Sequence, residues 1–356
     1  MIAGEAVRPV PRRTEFAVLT RALRAAGLLE RRRGWYAALI VATTTLLGAT
    51  VAAFVAIGDS WWTVALAPVF AVVAGQCGFI GHDAGHRQIF DSARANDAVG
   101  YVAGNLAIGL GYARWVAEHN AHHANPNHET RDPDVQIPVL AFSAEQATGR
   151  RGPLGFVARH QAVLFFPLLL LEGLSMHVGS VRALLDGEVA RPRLEATLLA
   201  VHALVYLGAV FLVLSPGPAV VFVVVQQGLF GLYLGAVFAP NHKGMPMVSA
   251  ADRLDPVRKQ VLTSRNIRGN VLVDHAMGGL NHQIEHHLFT RMPRPNLRRA
   301  RPLVAAFCER QGITYTETGL LDSYARTLRH LHEAGAPLRG EQGSGASAGI
   351  EGVGER

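Results

Sequence analysis

Four apolar runs of bilayer length constrain this chain more than any other feature. They are Tyr36 to Ile57, Trp61 to Ile80, Ala196 to Leu214 and Pro218 to Ala239. As helices, each can cross about 30 Å of hydrocarbon at about 1.5 Å per residue. Gly58-Asp59-Ser60 separates the first two, and Ser215-Pro216-Gly217 the last two. They therefore read as two helical hairpins, with Trp61 and Trp62 suited to an interfacial anchor. Charged residues make up 17% of the 356 positions, against about a quarter in a soluble chain. With 49% apolar residues, this excludes general disorder and argues against reading the net charge of +7 as a nucleic-acid footprint.

The charge serves topology instead. Residues 1–34 hold eight arginines and no apolar core with a cleavage site, so a basic N-terminal segment is expected rather than a secretory signal. These arginines, Arg182, Arg191, Arg193 and everything from Lys243 onward fall on one side. The two hairpin turns carry one acid and no base. By the positive-inside rule the basic side, with both termini, is cytoplasmic. Ala98 to Leu110 is too short to span, and Val163 to Val178 contains Pro167, Glu172 and His177. Both read as interfacial or re-entrant helices; two genuine extra spans would keep the same parity. Residues 251–335 read as an arginine-rich helical cap, and 340–356 as a disordered Gly/Ser/Glu tail. The expected fold is an all-α integral membrane protein, its membrane domain covering 35–339. Cys77 and Cys308 are too few for a disulfide framework or a four-cysteine zinc site and fit a reducing compartment.

Eight of the 16 histidines lie in three clusters next to the runs. The first is His82-Asp83-Ala84-Gly85-His86, whose i, i+4 imidazoles share a helix face. The second is His119-Asn120-Ala121-His122-His123, and the third His282-Gln283-Ile284-Glu285-His286-His287. One His-x-x-x-His pair arises by chance; three clusters at membrane edges of one side are a joint signal for metal. Imidazole alone does not choose among iron, zinc and copper. The ligand count exceeds one four-coordinate zinc and suits two six-coordinate ions with positions open for oxygen. No Glu-x-x-His pair supports the carboxylate-bridged alternative. His202 is the one histidine inside the four runs, too few for bis-imidazole haem. It and His160, His177, His330 and His332 read as structural.

At these clusters, over about residues 36–335, the chain resembles the membrane fatty acid desaturases. Supporting stretches are Asn125-Pro126, Asp132-Pro133-Asp134, Ala239-Pro240-Asn241-His242-Lys243-Gly244-Met245 and Met292-Pro293-Arg294-Pro295-Asn296-Leu297. The third box is similar to that of front-end and bacterial acyl-lipid members. The resemblance implies two non-haem irons, O2 as co-substrate, electrons from outside and an acyl substrate. It implies His82, His86, His119, His122, His123, His286 and His287 as ligands, and His242 as the one following the last span. For the ninth position the choice is between Gln283, which has the box spacing, and His282, about 100° away on a helix. Asp83, Glu118, Asp132, Asp134 and Glu285 are candidate acceptors for the far nitrogens of ligand rings. Asp132 and Asp134 equally suit a turn around Pro133. Asn241 is a candidate polar group near the metals.

The expected function is O2-dependent desaturation of a long acyl chain linked to CoA, acyl-carrier protein or lipid. No His-Pro-Gly-Gly run marks a fused cytochrome b5, so a separate donor such as ferredoxin or cytochrome b5 is expected. Hydroxylation by the same ligands is the alternative. A non-enzymatic metal-binding or transport protein is the more remote one, and ionisable residues within the spans would favour it.

Overall fold

A computed structural model describes residues 12–341. The beginning of the basic segment, and the expected disordered tail apart from Gly340 and Glu341, lie outside the described residues. The helices are α1 (Arg12–Ala25), α2 (Arg33–Ile57), α3 (Ala67–Gly85), α4 (Ala93–Tyr101), α5 (Tyr112–Ala124), α6 (Ala144–Thr148), α7 (Gly152–Leu169) and α8 (Glu172–Leu185). They continue with α9 (Pro192–Val213), α10 (Pro216–His242), α11 (Pro256–Leu262), α12 (Val271–Ala276), α13 (Gln283–Leu288), α14 (Arg294–Arg310) and α15 (Leu320–Ala334). A 3₁₀ turn at Trp61–Leu66, capped by Ser60 Oγ, leads straight into α3.

Among the described residues, four helices are long and apolar enough to cross a membrane: α2, Trp61–Gly85, α9 and α10. They differ in how much protein surrounds them. The apolar windows of Trp61–Gly85 and α10 are 44% and 39% buried, those of α2 and α9 only 17% and 6%. The first pair is therefore the inner one. Close approach is bought with missing side chains: a Cβ on Gly75 of α3 would lie 2.3 Å from the Tyr233 ring of α10. At one end of the pair Phe54, Phe70 and Phe222 pack edge-on with centroids 5.0–5.9 Å apart. There too Asp59 Oδ1 accepts from Ser215 N at 2.8 Å, tying the two short turns together.

The two ambiguous stretches are bent. α7 and α8 meet at 82° around Leu170 and Leu171, with Pro167 inside α7. α4 passes into a π-helical segment, Val102–Ala107, and the chain then reverses at Gly109, whose φ of 69° is left-handed.

The remaining elements form a layer at the opposite end of the long helices. Leu19, Leu23 and Leu28 of the N-terminal region share one apolar core with Ile284, Val304, Phe307 and Cys308. The described part of the basic segment is thus packed into this layer. The described residues are mostly helical, as expected, with one short exception. Asn266–Ile267 (β1) pairs in parallel with Glu317–Thr318 (β2), and His128 bridges Val248. Fully buried Arg265 anchors the layer, donating through Nε to Pro240 O (2.8 Å) and through Nη2 to Lys243 O (2.6 Å), carbonyls at the end of α10 that the helix leaves without an internal partner.

Candidate metal centre

Four helix ends converge where this layer meets the long helices. α3 delivers His82 and, at its C-cap, His86; the middle and end of α5 carry His119, His122 and His123; His242 is the last residue of α10; α13 supplies Gln283, His286 and His287.

Their ring nitrogens fall into two adjacent groups. In the first, one nitrogen each from His82, His86, His119 and His286 lies within 4.8 Å of every other. His86 Nε2 and His119 Nε2 are 2.9 Å apart, and His123 Nε2 is 3.1 Å from both His119 Nε2 and His286 Nε2. In the second, His122, His242 and His287 meet the same 4.8 Å criterion. Each of these three rings is tied from behind. His122 Nδ1 donates to Asp132 Oδ1 at 3.0 Å, His242 Nδ1 to Thr263 O at 2.9 Å, and His287 Nδ1 to Gln260 Oε1 at 2.8 Å. Nε2 is then left as the inward-facing acceptor on all three. His82 is held alike, Nδ1 to Asp83 Oδ1 at 3.2 Å, while Arg294 grips Asp83 Oδ2 through Nε at 2.8 Å.

Inward-facing acceptors set against one another cannot satisfy each other. His82 Nε2 and His287 Nε2 are buried without a partner, and each such atom costs about 1–3 kcal/mol. A cation between the lone pairs removes that cost, so the donor set fits two metal ions. Burial, reinforced by neighbouring rings, pushes His86, His119, His123, His286 and His287 well below the usual imidazole value. They stay neutral, the form that binds metal. Burial also pulls His122 down, but Asp134 and Asp132 outweigh it and raise this ring.

The alternatives at the third box separate. Gln283 faces the second group: its Nε2 lies 2.9 Å from His242 Nε2, and its Oε1 is buried and unpartnered. Interchanging the two amide atoms presents oxygen to the group. His282 turns away, donating through Nε2 to Asp274 Oδ1 at 3.1 Å. Burial raises Asp274, but hydrogen bonds from His282, Arg298 and Asn281 hold it below the usual carboxylate range.

Of the carboxylates, Asp132 is fully buried behind His122; Asp134 is half exposed with Oδ2 at 3.3 Å from the same nitrogen. Asp132 also closes the expected turn, accepting from Asp134 N at 3.0 Å. Two of the candidate carboxylates engage other partners. Glu118 pairs with Arg114 at 2.8 Å, one helical turn away, and not with a ring. Glu285, pushed up by burial, accepts from Asn266 Nδ2 and the Tyr315 hydroxyl, both at 2.7 Å. Asn241 donates to Val237 O at 3.1 Å within α10, and its Oδ1 is buried without a partner. Gln260, Thr263 and Arg294 were not singled out from sequence. Arg294 at least lies in the Met292–Leu297 stretch; no spacing marks the other two, whose contacts arise only on folding.

An apolar cavity of about 50 Å³ opens beside the first group, bounded by Gly78, His82, Ile108, Trp115, Leu234 and Phe238 among others.

The family model described as fatty acid desaturase matches residues 59–319, a span holding every one of these rings. The chain is 32% identical over 280 residues to an acyl-lipid (9-3)-desaturase of Physcomitrium patens, covering 76% of this chain and 53% of that one. It is 30% identical over 278 residues to an acyl-lipid (9-3)-desaturase of Borago officinalis, covering 74% and 62%. A delta(6)-fatty-acid desaturase of Caenorhabditis elegans is 28% identical over 286 residues, covering 76% and 64%. The chain therefore spans between about half and two thirds of the length of these relatives. With the match running through three of the four long apolar helices and all three histidine boxes, the chain belongs to the fatty acid desaturase family.

Proposed function

We propose that this protein is an O2-dependent fatty acyl desaturase that uses two histidine-held irons. The observation that carries the reading is the pairing of two inward-facing imidazole groups with an apolar cavity whose wall includes one of those imidazoles, His82. In this reading His82, His86, His119, His123 and His286 hold one ion, and His122, His242, His287 and Gln283 the other. When bound, the metals supply the oxidising power toward O2 that an unactivated methylene requires.

The chain supplies position and dryness. Glycines at 78, 81 and 104 line the cavity, and Trp115, also in its wall, stacks on His119 with centroids 4.5 Å apart. Asp132, Thr263 O and Gln260 keep the three rings of the second group in the tautomer that presents Nε2. The bond between the turns at Asp59 and Ser215 supports a two-hairpin membrane topology, with the histidine boxes at the far ends of α3 and α10. The positive-inside rule, applied to the arginines, supports a cytoplasmic location for that end, the cap and both termini. A basic cap there suits an acidic electron donor such as a ferredoxin or cytochrome b5. The acyl group is carried on CoA, acyl-carrier protein or lipid.

The test is expression in a host with a suitable donor, followed by fatty acid profiling. Wild type yields products lacking two hydrogens. His122→Ala and His286→Ala yield none, while their protein remains in the membrane. Products carrying an added oxygen would show hydroxylation instead, and activity surviving in both variants would refute the ligand assignment.

A further inference from the structure

The cavity has one wall that is neither a regular helix nor self-supporting. Ile108, Leu110, Gly111 and Tyr112 line it from the strap that follows the π-helical segment. Irregular backbone beside membrane helices persists only where protein satisfies its polar groups. Here α8 and α9 do so. His202 Nδ1 of α9 donates to Leu106 O at 2.9 Å. His177 Nδ1 of α8 donates to Gly109 O at 2.8 Å, and its Nε2 lies 3.1 Å from the Gln227 side chain on α10. Gly111 N donates to Ser180 Oγ at 2.8 Å, and Asn105, whose Oδ1 accepts from Tyr112 N at 3.0 Å, leans on Glu195 Oε2 at 3.2 Å.

Both imidazoles press on one residue. A Cβ on Gly109 would lie 2.5 Å from His202 Cδ2 and 3.0 Å from His177 Cε1, and its φ of 69° is itself unfavourable for other residues. Polar side chains facing apolar helices are costly, and these spend their hydrogen bonds on holding backbone rather than on metal.

We propose that His177 and His202 are positioning residues for regioselectivity. By holding the Gly109 and Leu106 carbonyls they fix how far Ile108 and Leu110 protrude into the acyl cavity, and so which methylenes lie beside the first imidazole group. This rests on the desaturase reading above. In a pocket that counts methylenes, one methylene of displacement discriminates by about tenfold or more.

The experiment compares wild type with His177→Leu, His202→Leu and His202→Gln in a desaturation host, reading double-bond positions, product chain lengths and iron per chain. Both leucine variants are expected to change the ratio of positional isomers or of chain lengths by about tenfold at unchanged iron content, and His202→Gln, which keeps a donor, to move back toward wild type. An unchanged product pattern overturns the inference, as does loss of iron, which would place both histidines in support of the metal centre. Should the leucine variants fail to accumulate, Ile108→Ala and Ile108→Phe test the wall itself: opposite shifts in chain length support the inference, and an unchanged profile overturns it. No unsaturated product from wild type would instead refute the desaturase reading.

Discussion

Replacing Asp132 with asparagine should loosen the second metal group more than its small change in size implies. The carboxylate is fully buried and receives only donors. Oδ1 accepts from His122 Nδ1 at 3.0 Å and from Asp134 N at 3.0 Å; Oδ2 accepts from the same ring nitrogen at 3.1 Å and from Asn127 N at 2.7 Å. An amide has one oxygen, so in either orientation its NH2 opposes a backbone N–H, the buried one of Asn127 or the partly buried one of Asp134. One orphaned donor costs about 1–3 kcal/mol. The ring also loses the charge that favours its tautomer, and removing such a partner typically lowers metal affinity about 10–100-fold. The assay is iron per chain in purified membranes, with the rate of iron loss to a chelator. Asp132→Asn should lose iron about tenfold faster or more. Asp134→Asn, altering a half-exposed group on the same ring, should lie within about threefold of wild type. If Asp132→Asn matches wild type in both measures, the argument that this carboxylate orients a ligand is wrong.

Gln283→Ala should reduce iron content, whereas His282→Ala, which breaks bonds to Asp274 and Asn281, should keep its iron; a reversed order would exchange their roles. pH should act on the metal-free protein through the five rings held below the usual imidazole value near 6.5. Below that pH the unfolded chain takes up protons that the folded site refuses, so stability falls as pH drops through about 6.5 and is unaffected by these rings above it. Chelated protein should therefore melt at a lower temperature near pH 5.5 than near pH 7.5, and equal melting would contradict the burial argument. Gly231→Ala should destabilise by about 1–3 kcal/mol, since its Cβ would lie 2.5 Å from Gly173 N and 2.7 Å from Leu169 O; an unchanged thermal midpoint would refute that contact.

What the sequence reveals here follows from periodicity. The apolar runs mark the four long helices, and i, i+4 spacing puts His82 and His86 on one side of α3. Composition misplaces the end of that helix: the apolar run stops at Ile80, but α3 continues to Gly85, because His82 and Asp83 find buried partners that no hydropathy window can foresee. The choice between Gln283 and His282 needs Asp274 and Arg298, which draw the histidine aside from elsewhere in the cap. Glu118 misleads because its i−4 neighbour, Arg114, competes for it. The strap at 106–111 is invisible for a related reason. Its conformation is set by His177 and His202, residues on two other helices that, taken alone, look merely structural.

The Asp83–Arg294 pair shows how α14 and the long apolar helices act as one unit. Asp83 is 2% and Arg294 5% exposed in their side chains, at an Nη2–Oδ2 distance of 2.7 Å. Such a buried pair adds little net stability, since desolvation offsets the attraction, but breaking it strands a charge at a cost of about 3–5 kcal/mol. Its value is register. One carboxylate oxygen turns toward His82, the other toward Arg294 at the start of α14, and Tyr36 of α2 accepts from Arg294 N at 3.2 Å while its hydroxyl donates to Gln88 at 2.9 Å. A shift of α14 by one residue would break the contacts of Arg294 with Asp83 and with Tyr36 together. The imidazoles of α13 therefore meet those of α3 and α5 in one arrangement, held by ordinary protein contacts as well as by the rings themselves.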